Sequence, residues 1–141
     1  MSGYDQLISV HSGEKLSKKV IKRIRGYTIL KVYEFGEGYI VQLSGKNLRY
    51  IRINMDSNAY INAIDNTEYS LFSLSSVPDN TLVSKTIVDM QHVKHKGVRS
   101  LLVRVYSTKG VEEFYRITNT ITKLTETEYV ISIRDHAFRE Y

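Results

Sequence analysis

His92 and His95, in the run Asp89-Met90-Gln91-His92-Val93-Lys94-His95-Lys96, are the side chains best suited to acid–base or metal chemistry. Either use needs two ligands or catalytic groups converging on one point. On a strand, residues i and i+3 point to opposite faces. On a helix they would converge, but Lys94 and Lys96 would then place positive charge beside the cation. No HExxH-type spacing is present, and a chain without cysteine has neither a thiolate zinc site nor a thiol nucleophile. The expectation is a hairpin tip with incidental histidines, no metal and no cofactor. One enzymatic reading passes this filter: a metal-independent ribonuclease, with His92 or His95 as acid or base and a lysine stabilising the phosphorane, which requires no local motif.

Other short motifs carry less. Gly36-Glu37-Gly38 stands between two β-like runs with no helix or GK[ST] behind it, so it reads as a turn and not as a phosphate cradle. Gly45-Lys46 is followed by Asn47, which does not make a Walker loop. Glu112-Glu113 and Asp135-His136 are adjacent pairs, and neighbours on a strand face opposite ways, so neither is a working dyad. No G-x-S-x-G elbow accompanies the serines. No catalytic residue is assigned, and a non-enzymatic protein is expected.

Charge is the more informative feature. Between Glu14 and Arg25 stand Lys15, Lys18, Lys19, Lys22, Arg23 and Arg25 against one acid, which accounts for the whole net charge of +5. Outside this segment, basic and acidic side chains balance at 14 each. Such localisation concerns partners and not fold. Six cations in twelve residues repel one another, a cost that a polyanion would relieve. A solvated helix face that binds nothing is the plainer alternative. A membrane surface suits it less well, because the apolar side of the segment has no Trp or Phe.

Aromatic composition points the same way. Eleven tyrosines occur without a tryptophan, and Tyr33, Tyr39, Tyr50, Tyr106, Tyr115 and Tyr129 fall in β-like runs. Arg49-Tyr50-Ile51-Arg52 and Arg104-Val105-Tyr106 interleave rings with cations, a combination that on an open sheet face stacks bases and neutralises phosphates. The favoured reading of the tyrosines is nonetheless that they are good half-buried strand residues, since cross-strand aromatic–Arg pairs are common in ordinary sheets.

The elements that must position these groups follow from periodicity. Residues 12–26 read as an amphipathic helix with Ser12 as N-cap. Leu16, Val20 and Ile24 form one face, widened by Ile21, with Lys18, Lys22 and Arg25 opposite and Gly26 as the terminating residue. Strands are expected over 28–35, 39–43, 48–53, 68–74, 98–106, 111–118, 120–124 and 128–133. The run 54–66 suits a short helix or a loop with a small strand. Val77-Pro78-Asp79-Asn80 reads as a turn, and 82–94, whose alternation is loose, as a strand before a helix. The expected core is Ile29, Val32, Val41, Ile51, Leu101, Val103, Val105, Ile117 and Ile131, with Leu16, Val20 and Ile24 packed on it.

The fold class is thus mainly β, at the margin of α+β: a basic N-terminal helix, then an antiparallel hairpin and meander sheet forming a barrel or sandwich. A length of 141 residues without an internal linker suits one domain. Its parts would be a flexible arm at 1–11, the helix at 12–26, a β-rich core at 27–134 and a tail at 135–141. The start Met1-Ser2-Gly3-Tyr4-Asp5 lacks a signal-peptide pattern and no apolar run approaches ~18 residues, so a cytoplasmic protein without a membrane partner is expected. The residue texture, rich in Tyr, Ile, Asn and Lys, suits an AT-rich phage or mobile-element genome.

The leading functional expectation is a nucleic-acid-binding or regulatory module using Lys15, Lys18, Lys19, Lys22, Arg23 and Arg25, with Arg49, Arg52, Lys94 and Lys96 on hairpin edges. From a different class comes a protein-interaction module, an assembly component or an inhibitor, that pairs through sheet edges. The ribonuclease stands third.

Overall fold

The computed structural model describes residues 14–15, 17–35, 38–44, 49–53, 59–63, 77–95 and 98–140. The chain begins with β1 (Glu14–Lys15) and helix α1 (Lys18–Ile24). The strands β2 (Ile29–Phe35), β3 (Gly38–Leu43), β4 (Arg49–Ile53) and β5 (Ala59–Ala63) follow as an antiparallel meander. After β6 (Val77–Pro78) come β7 (Thr86–His95), β8 (Val98–Tyr106), β9 (Glu112–Ile117) and β10 (Ile121–Leu124), and the chain closes with helix α2 (Glu126–Glu140). Two antiparallel sheets result, one in the order β1-β5-β4-β3-β2-β6 and the other β10-β9-β8-β7. The mainly-β expectation holds.

One core lies between α1 and the two sheets. It joins Val20, Ile21 and Ile24 of α1 to Ile29, Val32, Val41, Leu43, Ile51 and Ile53 of the first sheet and Ile87, Met90, Leu101, Val103, Val105 and Ile117 of the second. The opposite face of the second sheet carries another cluster, in which Val93, Leu102, Phe114 and Leu124 pack against Tyr129 and Ile133 of α2. Strand β8 therefore serves both layers, as its alternation implies: Leu101, Val103 and Val105 face one core and Leu102 the other. Phe114 and Tyr129 stack in a tilted pair with centroids 4.7 Å apart.

The two sheets meet at a stitch. Gly26 adopts φ +92° and donates its N–H to Ile87 O. Ile87 N donates to Tyr27 O, Ile29 N to Lys85 O and Ser84 N to Ile29 O, at 2.8–2.9 Å. Beyond it each strand has one extra residue. Leu30 interrupts the β2–β3 register and Val88 the β7–β8 register. The stitch is antiparallel through Thr28 and Thr86, so β2 and β7 leave it in opposite directions for different sheets, and each bulge adds local bend and twist. The Val88 bulge also explains the loose alternation of 82–94: Ile87 and Met90 share a core although three apart, because the extra residue shifts the phase.

Several expectations are corrected. Helix α1 starts at Lys18 and not at residue 12, because Glu14 and Lys15 pair with Ile61 and Tyr60 as the outer strand of the first sheet. Its N-cap is Ser17, whose hydroxyl accepts from Val20 N, and not Ser12. Residues 128–133 are helical and not a strand, so the β-rich core ends near Leu124 and the residues from 135 continue α2. The signal was a capping box at Thr125-Glu126-Thr127-Glu128: Thr125 Oγ1 accepts from Glu128 N at 3.1 Å and Glu128 Oε1 accepts from Thr125 N at 2.8 Å. Ile131 consequently leaves the core and is 40% exposed on the outer face of α2. Val77–Pro78, read as a turn, pairs with β2 at the sheet edge, where proline's missing donor is tolerated, and the turn comes after it. The proposed strand at 68–74, the arm at 1–11 and Leu16 lie outside the described residues.

Val103 is fully buried at the centre of β8, so Val103→Ala should cost about 1–3 kcal/mol through lost burial and the cavity left behind. Thr125→Ala removes half of the capping box and should cost about 0.5–2 kcal/mol. Urea denaturation of both variants checks these values; an unchanged midpoint for Thr125→Ala would contradict the α2 start.

Candidate nucleic-acid interface

Helix α1 places its cations by simple periodicity. Val20, Ile21 and Ile24 are at most 3% exposed, which turns Lys18, Lys19, Lys22 and Arg23 to solvent. No acidic residue stands in the first turn, while Lys22 and Arg23 occupy the last turn, where the helix dipole favours cations. Lys18, Lys19 and Lys22 make no hydrogen bond or ion pair among the described residues. Arg25 is exposed but committed: its Nε donates to Val88 O at 2.8 Å, capping the carbonyl that the β7 bulge turns outward.

Two acids of the second sheet are engaged in ion pairs of their own. Glu113 accepts from Lys85 Nζ, from Lys123 Nζ at 3.3 Å and from the Tyr115 hydroxyl at 3.0 Å. Lys85 also donates to the Tyr115 hydroxyl at 2.6 Å and stands 5.0 Å from the centre of its ring. The Lys85 hydrogen bond, chiefly, holds the Glu113 carboxyl down at about 2. On the other face of β9, Glu112 pairs with Arg104 at 2.5 Å. The adjacent carboxylates thus serve separate ion-pair groups on opposite faces of the strand, as neighbours on a strand must.

The remaining sequence-assigned cations are dispersed. Lys15 lies on β1, opposite Tyr60, which is itself opposite Arg52, so two cations 37 positions apart occupy one cross-strand row. Arg49 lies at the start of β4, and Lys94 is exposed near the end of β7, six residues or roughly 20 Å beyond the point that Arg25 touches. Lys96 lies outside the described residues. Tyr50 is only 2% exposed, so the Arg49–Arg52 run offers no stacking platform on that ring. Tyr129, read as a strand residue, is buried beneath α2, and its burial pushes the hydroxyl pKa up. Tyr106 remains 42% exposed.

Histidines 92 and 95 fall on strand β7, three positions apart and hence on opposite faces. No group of three or more metal-ligating side chains occurs among the described residues. No helix among them is long and apolar enough to cross a membrane. No family model matches the chain, and no curated protein or solved structure matches it either.

The Glu113 cluster gives a pH dependence with a definite sign. A carboxyl whose ordinary value of 4.5 drops to about 2 on folding stabilises the fold fully above about pH 4.5, and the contribution is lost as pH falls towards 2. In urea titrations at graded pH, Glu113→Gln should lose about 1–3 kcal/mol near neutrality and show a shallower decline below pH 4.5. Parallel curves for parent and variant would contradict this role.

Proposed function

We propose that this chain is a non-enzymatic module that binds nucleic acid through the outer face of α1. One observation carries the reading: a run of exposed cations stands on a helix whose other face is locked into the core. A fixed cationic ridge engages phosphates without first paying to order its side-chain scaffold. Because phosphate contacts carry no base information, the binding from α1 alone is sequence-tolerant. Arg25 contributes charge near the ridge while remaining a strut to β7. Lys15 and Arg52 supply a second row of cations on the first sheet.

A protein partner is the second reading, favoured by the outer edge of β7. Past Ile87, residues 89–95 have no strand neighbour on that side among the described residues. An extended segment from another protein would find seven residues of backbone there.

Salt dependence separates the two. With three to five phosphate contacts, log affinity should fall with log salt at about −0.9 per contact on duplex or −0.7 on single strands, roughly a hundredfold between 50 and 200 mM. The double variant Lys18→Glu/Lys22→Glu should weaken binding to all sequences alike and flatten that slope, with an unchanged far-ultraviolet spectrum. A folded double variant that binds as the parent does would remove α1 from the site. If the parent binds neither duplex nor single strands at physiological salt, a pull-down of protein partners tests the β7 edge instead.

A further inference from the structure

Helix α2 uses only part of its circumference. Tyr129 and Ile133 pack on the second sheet, and Ser132 accepts from Arg116 Nη2 at 2.7 Å and donates to Glu128 O at 2.8 Å. Away from the sheet, Thr127, Val130, Ile131 and Arg134 line a shallow depression that Glu126 borders at the start of the helix. Val130 is 53% and Ile131 40% exposed, on adjoining sectors of the helix surface. These two aliphatic side chains are not placed there by any need of the fold, since replacing either with a polar residue would leave the inner stripe intact.

The charges around them are arranged with a specific symmetry. Glu126, Val130 and Arg134 are spaced i, i+4, i+8 and form one ridge, with the acid one turn before the valine and the base one turn after it. Each lies about 6 Å along the axis from Val130. Neither Glu126 nor Arg134 makes an ion pair among the described residues. Turning this ridge by a half-rotation about an axis through Val130 superposes the acid on the base. The surface is therefore complementary to itself, the condition that a two-fold interface imposes.

We infer that the outer face of α2 is a homodimer interface, in which two copies of the helix pack antiparallel. Val130 and Ile131 of each copy cover those of the other at the centre, and Glu126 of each meets Arg134 of the other at the two ends. A parallel arrangement would set Glu126 against Glu126 and Arg134 against Arg134, and so is disfavoured. An apolar centre with a charged rim matches the general anatomy of protein interfaces. One helix ridge on another is at the small end of interface sizes, so the dimer is a weak, reversible one. α1 belongs to the core on the other face of the second sheet, and the pairing leaves its cations uncovered.

Sedimentation equilibrium on the full chain tests this, over about 10 to 500 μM protein. The parent should fit a monomer–dimer equilibrium. Glu126→Arg alone and Arg134→Glu alone should each weaken self-association by roughly tenfold or more, because each turns two attractive rim contacts into repulsive ones. An equimolar mixture of these two single variants should recover the dimer, since each supplies the charge that the other lacks. That recovery cannot come from a variant that fails to fold. A parent that stays monomeric over the whole range overturns the inference. So does a dimer that neither substitution weakens, or a pair of single variants that does not associate on mixing.

Discussion

The short antiparallel stitch between residues 26–29 and 84–87 is the constraint on which the architecture depends. It joins two segments nearly 60 positions apart, and a long loop must close before its bonds can form. What it holds together is disproportionate to its size. Gly26 ends α1 and, at φ +92°, gives its N–H directly to the second sheet, so the helix is anchored to β7 at the residue where it stops. Because the pairing is antiparallel, β2 and β7 run out of it in opposite directions, each into its own sheet. Ser84, the one non-glycine residue described with positive φ (71°), brings the chain back into the stitch at its far end.

Charge follows from that arrangement. In the second sheet the acids lie on strands beside bases, and they pair across the faces to which alternation assigns them: Glu113 inward with Lys85, Lys123 and Tyr115, Glu112 outward with Arg104. Helix α1 has no such neighbours in its own first turn, and its apolar face is fully taken up by the core. The segregation of positive charge seen along the chain therefore persists in space. Arg25 is drawn into the scaffold, because its position one residue before the stitch brings its guanidinium to the carbonyl of Val88.

The second sheet is the centre of the layering. Its inner face shares a core with α1 and the first sheet, and its outer face carries α2. This assigns separate sides to the two surfaces argued to be functional: the cationic ridge of α1 on one, the self-complementary ridge of α2 on the other. A two-fold pairing through α2 would present two copies of the α1 ridge from one particle, and avidity from such doubling needs no further contact within either copy.

Much of this was legible from residue order alone. The strands at 29–35, 38–43, 98–106 and 112–117 follow from period-two runs of β-branched and aromatic residues between glycine turns, and eight of the nine strand residues named for the core are buried. The exception, Ile131, sits in a run with good β-propensity that a capping box at Thr125–Glu128 starts as a helix and that the apolar face of the second sheet stabilises. The cationic face of α1 was equally plain, because amphipathic spacing and charge are local properties. Tertiary structure decided what depends on distant partners: that Glu14 and Lys15 leave the helix to pair with β5, that Tyr50 is buried, and that Arg52 joins the row of Lys15. It also decided that Arg25 braces a bulge and that Glu113 finds Lys85. Periodicity reports which side of an element is apolar; the stitch, by closing a long loop between the two halves of the chain, determines which other element that side will meet.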